Sequence, residues 1–273
     1  MIPYALMTLS SRAGARVLLW LLPAIASAQI PKLTTPPTID GNLSEWKRLA
    51  HNDGLWDIER LRRSPWYEPE RNRITLHPGE TATPEQDLAA RYYTAWDDTY
   101  LYLGAEVTDN VNDVADPAHA PKRWYFKDAI CWFIEAPRQA RGQNFGERDN
   151  AFCFVADPAK PPYAAWWRHG APGGKTYLEE PIPAGAVAWA VKPNQQGFTL
   201  EARVAMAPTF GVSSTAWRAP KIGDTYGLTI VHTDPDGGEY GGHFLIYGRG
   251  DNDASWTAFT LTGPLSPVAR QPK

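Results

Sequence analysis

Carboxylates and tryptophans are the side chains in this chain with chemistry to offer. Asp109, Asp113 and Asp116, with Asn110 and Asn112 between them, close the stretch TAWDDTYLYLGAEVTDN (94–110) and run beyond it. Calcium takes six to eight hard oxygens from carboxylates and carbonyls. Asp109, Asp113 and Asp128 are therefore read as a candidate structural calcium site. The alternative is an ordinary Asx-rich turn. DPDGGE (234–239) lacks the twelve-residue spacing and terminal Glu of a calcium loop, and reads as a hairpin turn. Glycoside hydrolysis needs two carboxylates at a defined separation across a bond, and no spacing here marks such a pair. G-x-S-x-G, H-E-x-x-H and phosphate-loop motifs are absent from the sequence. No catalytic residue is assigned, and Arg249-Gly250-Asp251 is taken as a chance tripeptide.

The tryptophans point to binding. Eleven of the twelve follow residue 28, more than one core of this size usually needs. A sugar's C–H face stacks on an aromatic ring whose other side packs on protein. Trp124 stands in PKRWYFK, after a proline and among basic residues. Trp256 follows the polar GRGDNDAS. Trp124, Trp256, Tyr125, Arg249, Asp251 and Asn252 form the candidate binding set, and a sugar as their ligand is what the family resemblance described below implies. The alternative is a packing role for the two Trp and a solvated turn for the rest. Trp46, Trp96 and Trp132 sit in or beside strand patterns and are read as core. Tyr163, Trp166 and Trp167 offer a second platform. Neighbours in a strand face opposite sides, so at least one of that Trp pair is expected at the surface, or the stretch is a loop.

These residues must be positioned by strands. Residues 89–96 and 99–107 read as two strands joined at Asp97-Asp98. Leu101, Leu103, Ala105 and Val107 share one face, and Tyr100, Tyr102, Gly104 and Glu106 the other, the period of a half-buried strand. DAICWFIEA (128–136) and NAFCFVAD (150–157) suit central strands of a packed sheet. Further strands are expected over 187–194, 197–206, 225–234, 243–248 and 255–263. Residues 29–37 read as an extended leader and 51–90 as a long decorated loop with at most one short strand. No helix longer than about three turns is indicated. Short strands with turn residues between them imply an all-β fold, a two-sheet antiparallel β-sandwich.

Arg12 and Arg16 precede the apolar run VLLWLLPAIASA (17–28), which ends in Ala26-Ser27-Ala28. That is the pattern of a cleaved signal peptide, and the run is too short to span a bilayer. The expected organisation is a signal peptide over 1–28, one domain over 29–265 and a flexible tail over 266–273, with a secreted or periplasmic location. Removing residues 1–28 removes two Arg and no acid, so the formal charge moves from −3 to −5. A mildly acidic protein is a poor fit to nucleic acid. Cys131 and Cys153 lie in two strand-like runs, and either a disulfide or a buried free pair fits.

The order PTIDGNLSEW, AWDDTYLYLGAEVTDN, KDAICWFIEAP, GFTLEARVAMAPTFG, KIGDTYGLTIVHTDPDGG and SWTAFTLTG resembles the family 9 carbohydrate-binding modules and their DOMON-like relatives. The resemblance spans 36–263. It implies a jelly-roll-like sandwich in which two Trp clamp a sugar ring, with calcium supporting the fold. The counterparts of those Trp here are Trp124 and Trp256. The implied function is a non-catalytic carbohydrate-binding module, accessory to carbohydrate-active enzymes. AMAPTF stands where the family has I-P-W, SWTAFTL lacks the usual Pro and Gly, and 51–90 is a long insertion. Some DOMON-like relatives instead hold haem b through a Met and a His or basic ligand. Met206, with His232 or His243, is the set such an electron-transfer reading needs; Met206 as core filler is the preferred one.

Overall fold

The computed structural model describes residues 28–54, 88–109, 124–142, 146–157, 164–169, 177–234, 243–245 and 252–265. Of the expected signal peptide over 1–28, residues 1–27 lie outside the described residues, as do the expected tail 266–273 and most of the 51–90 insertion.

The strands are β1 (Ala28–Pro31), β2 (His51–Gly54), β3 (Leu88–Trp96), β4 (Tyr100–Asp109), β5 (Ala129–Glu135), β6 (Asp149–Val155), β7 (Ala164–His169), β8 (Tyr177–Glu180), β9 (Val187–Asn194), β10 (Gly197–Ala205), β11 (Thr225–Thr233), β12 (His243–Leu245) and β13 (Thr257–Thr262). A two-turn helix, α1 (Met206–Ser213), follows β10. They form two facing sheets. The first runs β1-β13-β11-β5-β6-β7-β8, and the second β2-β3-β4-β10-β9. Strand β13 pairs with residues 225–228 of β11, and β12 takes over the same edge at 231–233. The expected sandwich is present, with one departure: β1 pairs with β13 in parallel, so the first sheet is mixed.

Alternation sorts the side chains between the faces. Trp132 of β5 meets Tyr92 of β3 edge-to-face, which places the even positions of β5 in the sandwich interior. Register carries this outward: Trp132 lies opposite Phe152 and Ile230, and Phe152 opposite Trp166. Trp96, Leu101, Leu103, Phe198, Leu200 and Phe259 complete the interior. Asn150 is a polar member of that layer. It accepts from the Trp166 indole at 2.9 Å and from Ser213 at 2.7 Å, so its burial leaves the amide oxygen satisfied.

Strand β4, expected to be half-buried, is covered on both faces. Residues 39–50 fold over its outer side, where Trp46 packs on Tyr93 and Tyr102. Gly104 lies beneath: a Cβ there would stand 2.8 Å from Leu43 and 3.1 Å from Trp46. Strands β5 and β6 are likewise buried along their whole length. Trp46, Trp96 and Trp132 are core. Cys131 and Cys153 are register partners on the outer face of the first sheet and form a disulfide.

The surface position expected for one member of Trp166-Trp167 is not found. Both are buried, in β7, because both faces of that strand are covered. Trp166 stacks on Phe152 inside the sandwich, and Trp167 packs on Trp124 outside it.

Candidate functional site

Strand β5 carries functional candidates at both ends and along its outer face. Odd positions of β5 and β6 point away from the sandwich interior, as does Trp167 of β7. Phe133 lies opposite Ala151, and Ala151 opposite Trp167, forming one row across three strands. Trp256 packs on Phe133 with ring centroids 6.0 Å apart. Trp124 packs on Trp167 at 5.6 Å. The two Trp singled out in the sequence are therefore anchored on the same face of the same sheet. Their anchors flank the small side chain of Ala151, two strand spacings or roughly 10 Å apart.

Neither ring is exposed as expected. Trp124 is 5% and Trp256 2% accessible. A short 3-10 turn, Trp124–Phe126, folds the first onto the sheet, and the turn Asp253–Ser255 delivers the second. Asn252 caps the latter, accepting from the Ala254 amide at 3.1 Å. That use of its side chain is structural. Tyr125 has its backbone in the Trp124–Phe126 turn, its side chain lying outside what is described; Arg249 and Asp251 lie outside the described residues altogether.

The acidic residues gather at the two ends of β5. Asp109, Asp128 and Asp234 bring carboxylate oxygens within 4.8 Å of one another. Asp109 ends β4, Asp128 precedes β5, and Asp234 follows β11, whose Thr233 lies opposite Ala129. Asp109 and Asp128 are thus brought together as expected, Asp113 lies outside the described residues, and Asp234 is an addition. Its DPDGG context signalled a turn, and only the β11–β5 register reveals its carboxylate. Glu135, Asp149 and Asp253 make a second such group at the other end. Glu135 and Asp149 are register partners. Seven residues of strand, on the order of 23 Å, separate Asp128 from Glu135.

The second group is fully buried: Glu135 and Asp149 are 0% and Asp253 1% exposed. Backbone amides aim each carboxylate. Gln139 N–H and Ala140 N–H donate to Glu135 at 2.7 and 2.9 Å, Gly146 N–H to Asp149 at 2.5 Å, and Gly142 N–H to Asp253. Burial pushes Asp149 up to about 8, helped by the charges of Asp253 and Glu135 and opposed by the Gly146 amide and Arg138. Glu135 is raised by the same burial.

Two other places in the fold bear on ligand binding. Met206 accepts from Tyr226 Oη at 3.9 Å, at the start of β11. His232 lies six residues along that strand, on the order of 20 Å away, and its Nδ1 pairs with Tyr92 Oη at 2.5 Å. His243 sits opposite Thr233, at the same far end. Met206 and His232 thus stand toward opposite ends of β11. A groove of about 680 Å³ lies at the β9–β10 hairpin, lined by Arg91, Glu106, Asn194, Gln195 and Gln196 among others. No aromatic ring among the described residues lines it, and Glu106 is engaged by Lys47 and Tyr93.

No curated protein matches the chain in sequence. Solved structures do match in fold. A family 9 carbohydrate-binding module from Caldicellulosiruptor kristjanssonii, in complex with cellotriose, is 16% identical over 90% of this chain and 98% of its own, with a TM-score of 0.52. The same organism's module in complex with glucose gives 16%, 88%, 98% and 0.52. A protein from Bacteroides uniformis gives 11%, 86%, 97% and 0.54. The profile described as "Carbohydrate family 9 binding domain-like" matches residues 63–263, most of the chain, so this protein belongs to that family.

Proposed function

We propose that the chain is an exported, non-catalytic carbohydrate-binding module whose sugar site lies on the outer face of the first sheet, between Trp256 and Trp124. The observation that carries this reading is the row Phe133–Ala151–Trp167, which anchors the two Trp on either side of a small residue. A pyranose placed over Ala151 would find an aromatic ring on each side, the arrangement that stacking on C–H faces favours. At 2 and 5% exposure the rings offer no open face, so binding on this reading is coupled to uncovering them. The structural relatives' ligands, cellotriose and glucose, nominate a glucan end as the sugar. Arg249, Asp251 and Tyr125 remain the proposed polar partners, with Asn252 offering its side-chain NH2 while its Oδ1 caps the turn.

Calcium at Asp109, Asp128 and Asp234 fits this reading. The donors are all hard oxygens, drawn from the ends of three different strands, and their spacing suits one ion. Bound there, calcium would fix the edge of the fold beside the turn that carries Trp124. Export is supported by the leader pattern and agrees with a disulfide between Cys131 and Cys153.

Isothermal titration with glucose and cellotriose tests the binding reading. Wild type should bind, and Trp256→Ala and Trp124→Ala should each weaken binding at least tenfold while the circular dichroism spectrum stays unchanged. Absence of binding to any of a panel of mono- and oligosaccharides, or unchanged affinity in folded Trp variants, would sink it.

A further inference from the structure

We infer that Glu135, Asp149 and Asp253 form a divalent-cation site, separate from the one at the other end of β5. Their ligand oxygens lie within 4.8 Å of one another. Two oxygens on opposite sides of one calcium ion, each at about 2.4 Å, are separated by about that distance. The set contains oxygen donors only, which selects calcium or magnesium over zinc or copper.

Proximity of acids is not by itself a site, and the second observation concerns the oxygens that the backbone leaves bare. Asp149 uses Oδ2 for the Gly146 amide, and its Oδ1 is buried with no hydrogen-bond partner. Asp253 uses Oδ1 for the Gly142 amide, and its Oδ2 is buried and equally unpartnered. The amides of Gln139, Ala140, Gly142 and Gly146 thus hold three carboxylates beside one another and leave two of their buried oxygens unsatisfied. A buried polar atom without a partner costs on the order of 1–3 kcal/mol, and more when charged. The ion pair these acids make among the described residues is Arg138 with Glu135, at 3.9 Å. One guanidinium at that distance cannot balance three carboxylates. A divalent cation would supply the missing charge and the missing contacts at once.

The placement gives the ion a mechanical role. Glu135 ends β5, Asp149 begins β6, and Asp253 opens the turn whose next residues deliver Trp256 to Phe133. A cation here ties that turn to the sheet. The site itself stands on the donor geometry and does not depend on sugar binding.

The test strips purified protein with EDTA at pH 7.5 and reads thermal unfolding with and without 1 mM calcium chloride, in wild type, Asp149→Asn and Asp128→Asn. The Asp128 variant removes the other acidic group. The expected result is a calcium-dependent rise in Tm of roughly 5 °C that survives in Asp128→Asn, is smaller in Asp149→Asn than in wild type, and is lost when the two substitutions are combined. A rise in Asp149→Asn equal to that of wild type, or no calcium response in Asp128→Asn, overturns the proposal. A second measurement needs only the Asp128→Asn protein. Calcium titrated calorimetrically should bind it with a stoichiometry of about one ion per chain, and adding Asp149→Asn should abolish that binding. No calcium binding by Asp128→Asn also overturns the proposal.

Discussion

Glu201 accounts for the opening motif of the chain. Its carboxylate is fully buried on the outer side of the second sheet. It accepts from the Trp46 indole at 2.6 Å and from the amides of Asp40 and Gly41 at 3.0 and 2.9 Å. The Ile39-Asp40-Gly41 turn and Trp46 thus converge on one side chain in β10, some 155 residues on from Trp46. Gly41 is required because its φ is +84° and a Cβ would stand 2.9 Å from Lys192. Burial raises Glu201's pKa, against the opposing pull of those three donors. Glu201→Gln keeps the shape and one acceptor but loses the charge-assisted bonds, and should cost about 1–3 kcal/mol by urea unfolding. An unchanged midpoint would mean that residues 39–46 dock through Trp46 packing alone. The sequence made this motif visible as a family signature, but not its partner, since nothing local links Glu201 to a turn so far upstream.

At the scale of elements, legibility followed alternation. Strands β3, β4, β9 and β10 announce themselves because one side chain in two meets the interior. Strands β2, β7 and β8 do not. Trp166 and Trp167 defeat a period-2 reading since both faces of β7 are packed, and β1 has no alternation in four residues. The same limit governs the acidic groups. Glu135 and Asp149 are brought opposite each other by strand register and Asp253 arrives from another turn, so no spacing in the chain announces them. The cover over β4 gives a test. Gly104 touches Leu43 and Trp46 so closely that an added methyl must displace the 3-10 turn above it. Gly104→Ala should cost about 1–3 kcal/mol by overpacking, with Trp46 fluorescence shifted toward that of an exposed indole. A similar loss without the spectral shift would place the strain within the sheet instead. The Cys131–Cys153 crosslink joins β5 to β6 over 22 residues. Replacing both with Ala should lower stability by about 2–4 kcal/mol by releasing the unfolded chain. Since both residues are buried, the folded protein should resist dithiothreitol until it is partly unfolded.

For the molecule as a whole, two buried groups set opposite limits on pH. His232 is fully enclosed beside Tyr92, and burial lowers its pKa from 6.5 to about 3. Below pH 6.5 the unfolded chain takes a proton there that the folded chain refuses, so stability falls as pH drops toward 3. Asp149 is raised from 3.8 to about 8. Between those values the folded chain keeps a proton that the unfolded chain gives up, so stability falls as pH rises through that window. The two effects oppose each other from about pH 4 to 6.5. Above 6.5 the histidine no longer contributes, and Asp149 dominates, in company with Glu135 and Arg138. EDTA-treated protein should therefore hold a plateau between about pH 4 and 6.5 and then lose up to about 1.4 kcal/mol per pH unit toward pH 8. Asp149→Asn should flatten that alkaline limb. Calcium should flatten it in wild type as well, because a bound cation replaces the proton and makes the ionised carboxylate the favoured form. Chemical unfolding at half-unit steps from pH 5 to 8.5, with and without calcium, separates these cases. Stability that climbs from pH 6.5 to 8 in EDTA would show that Asp149 folds already ionised, with Arg138 and the backbone amides sufficient to hold its charge.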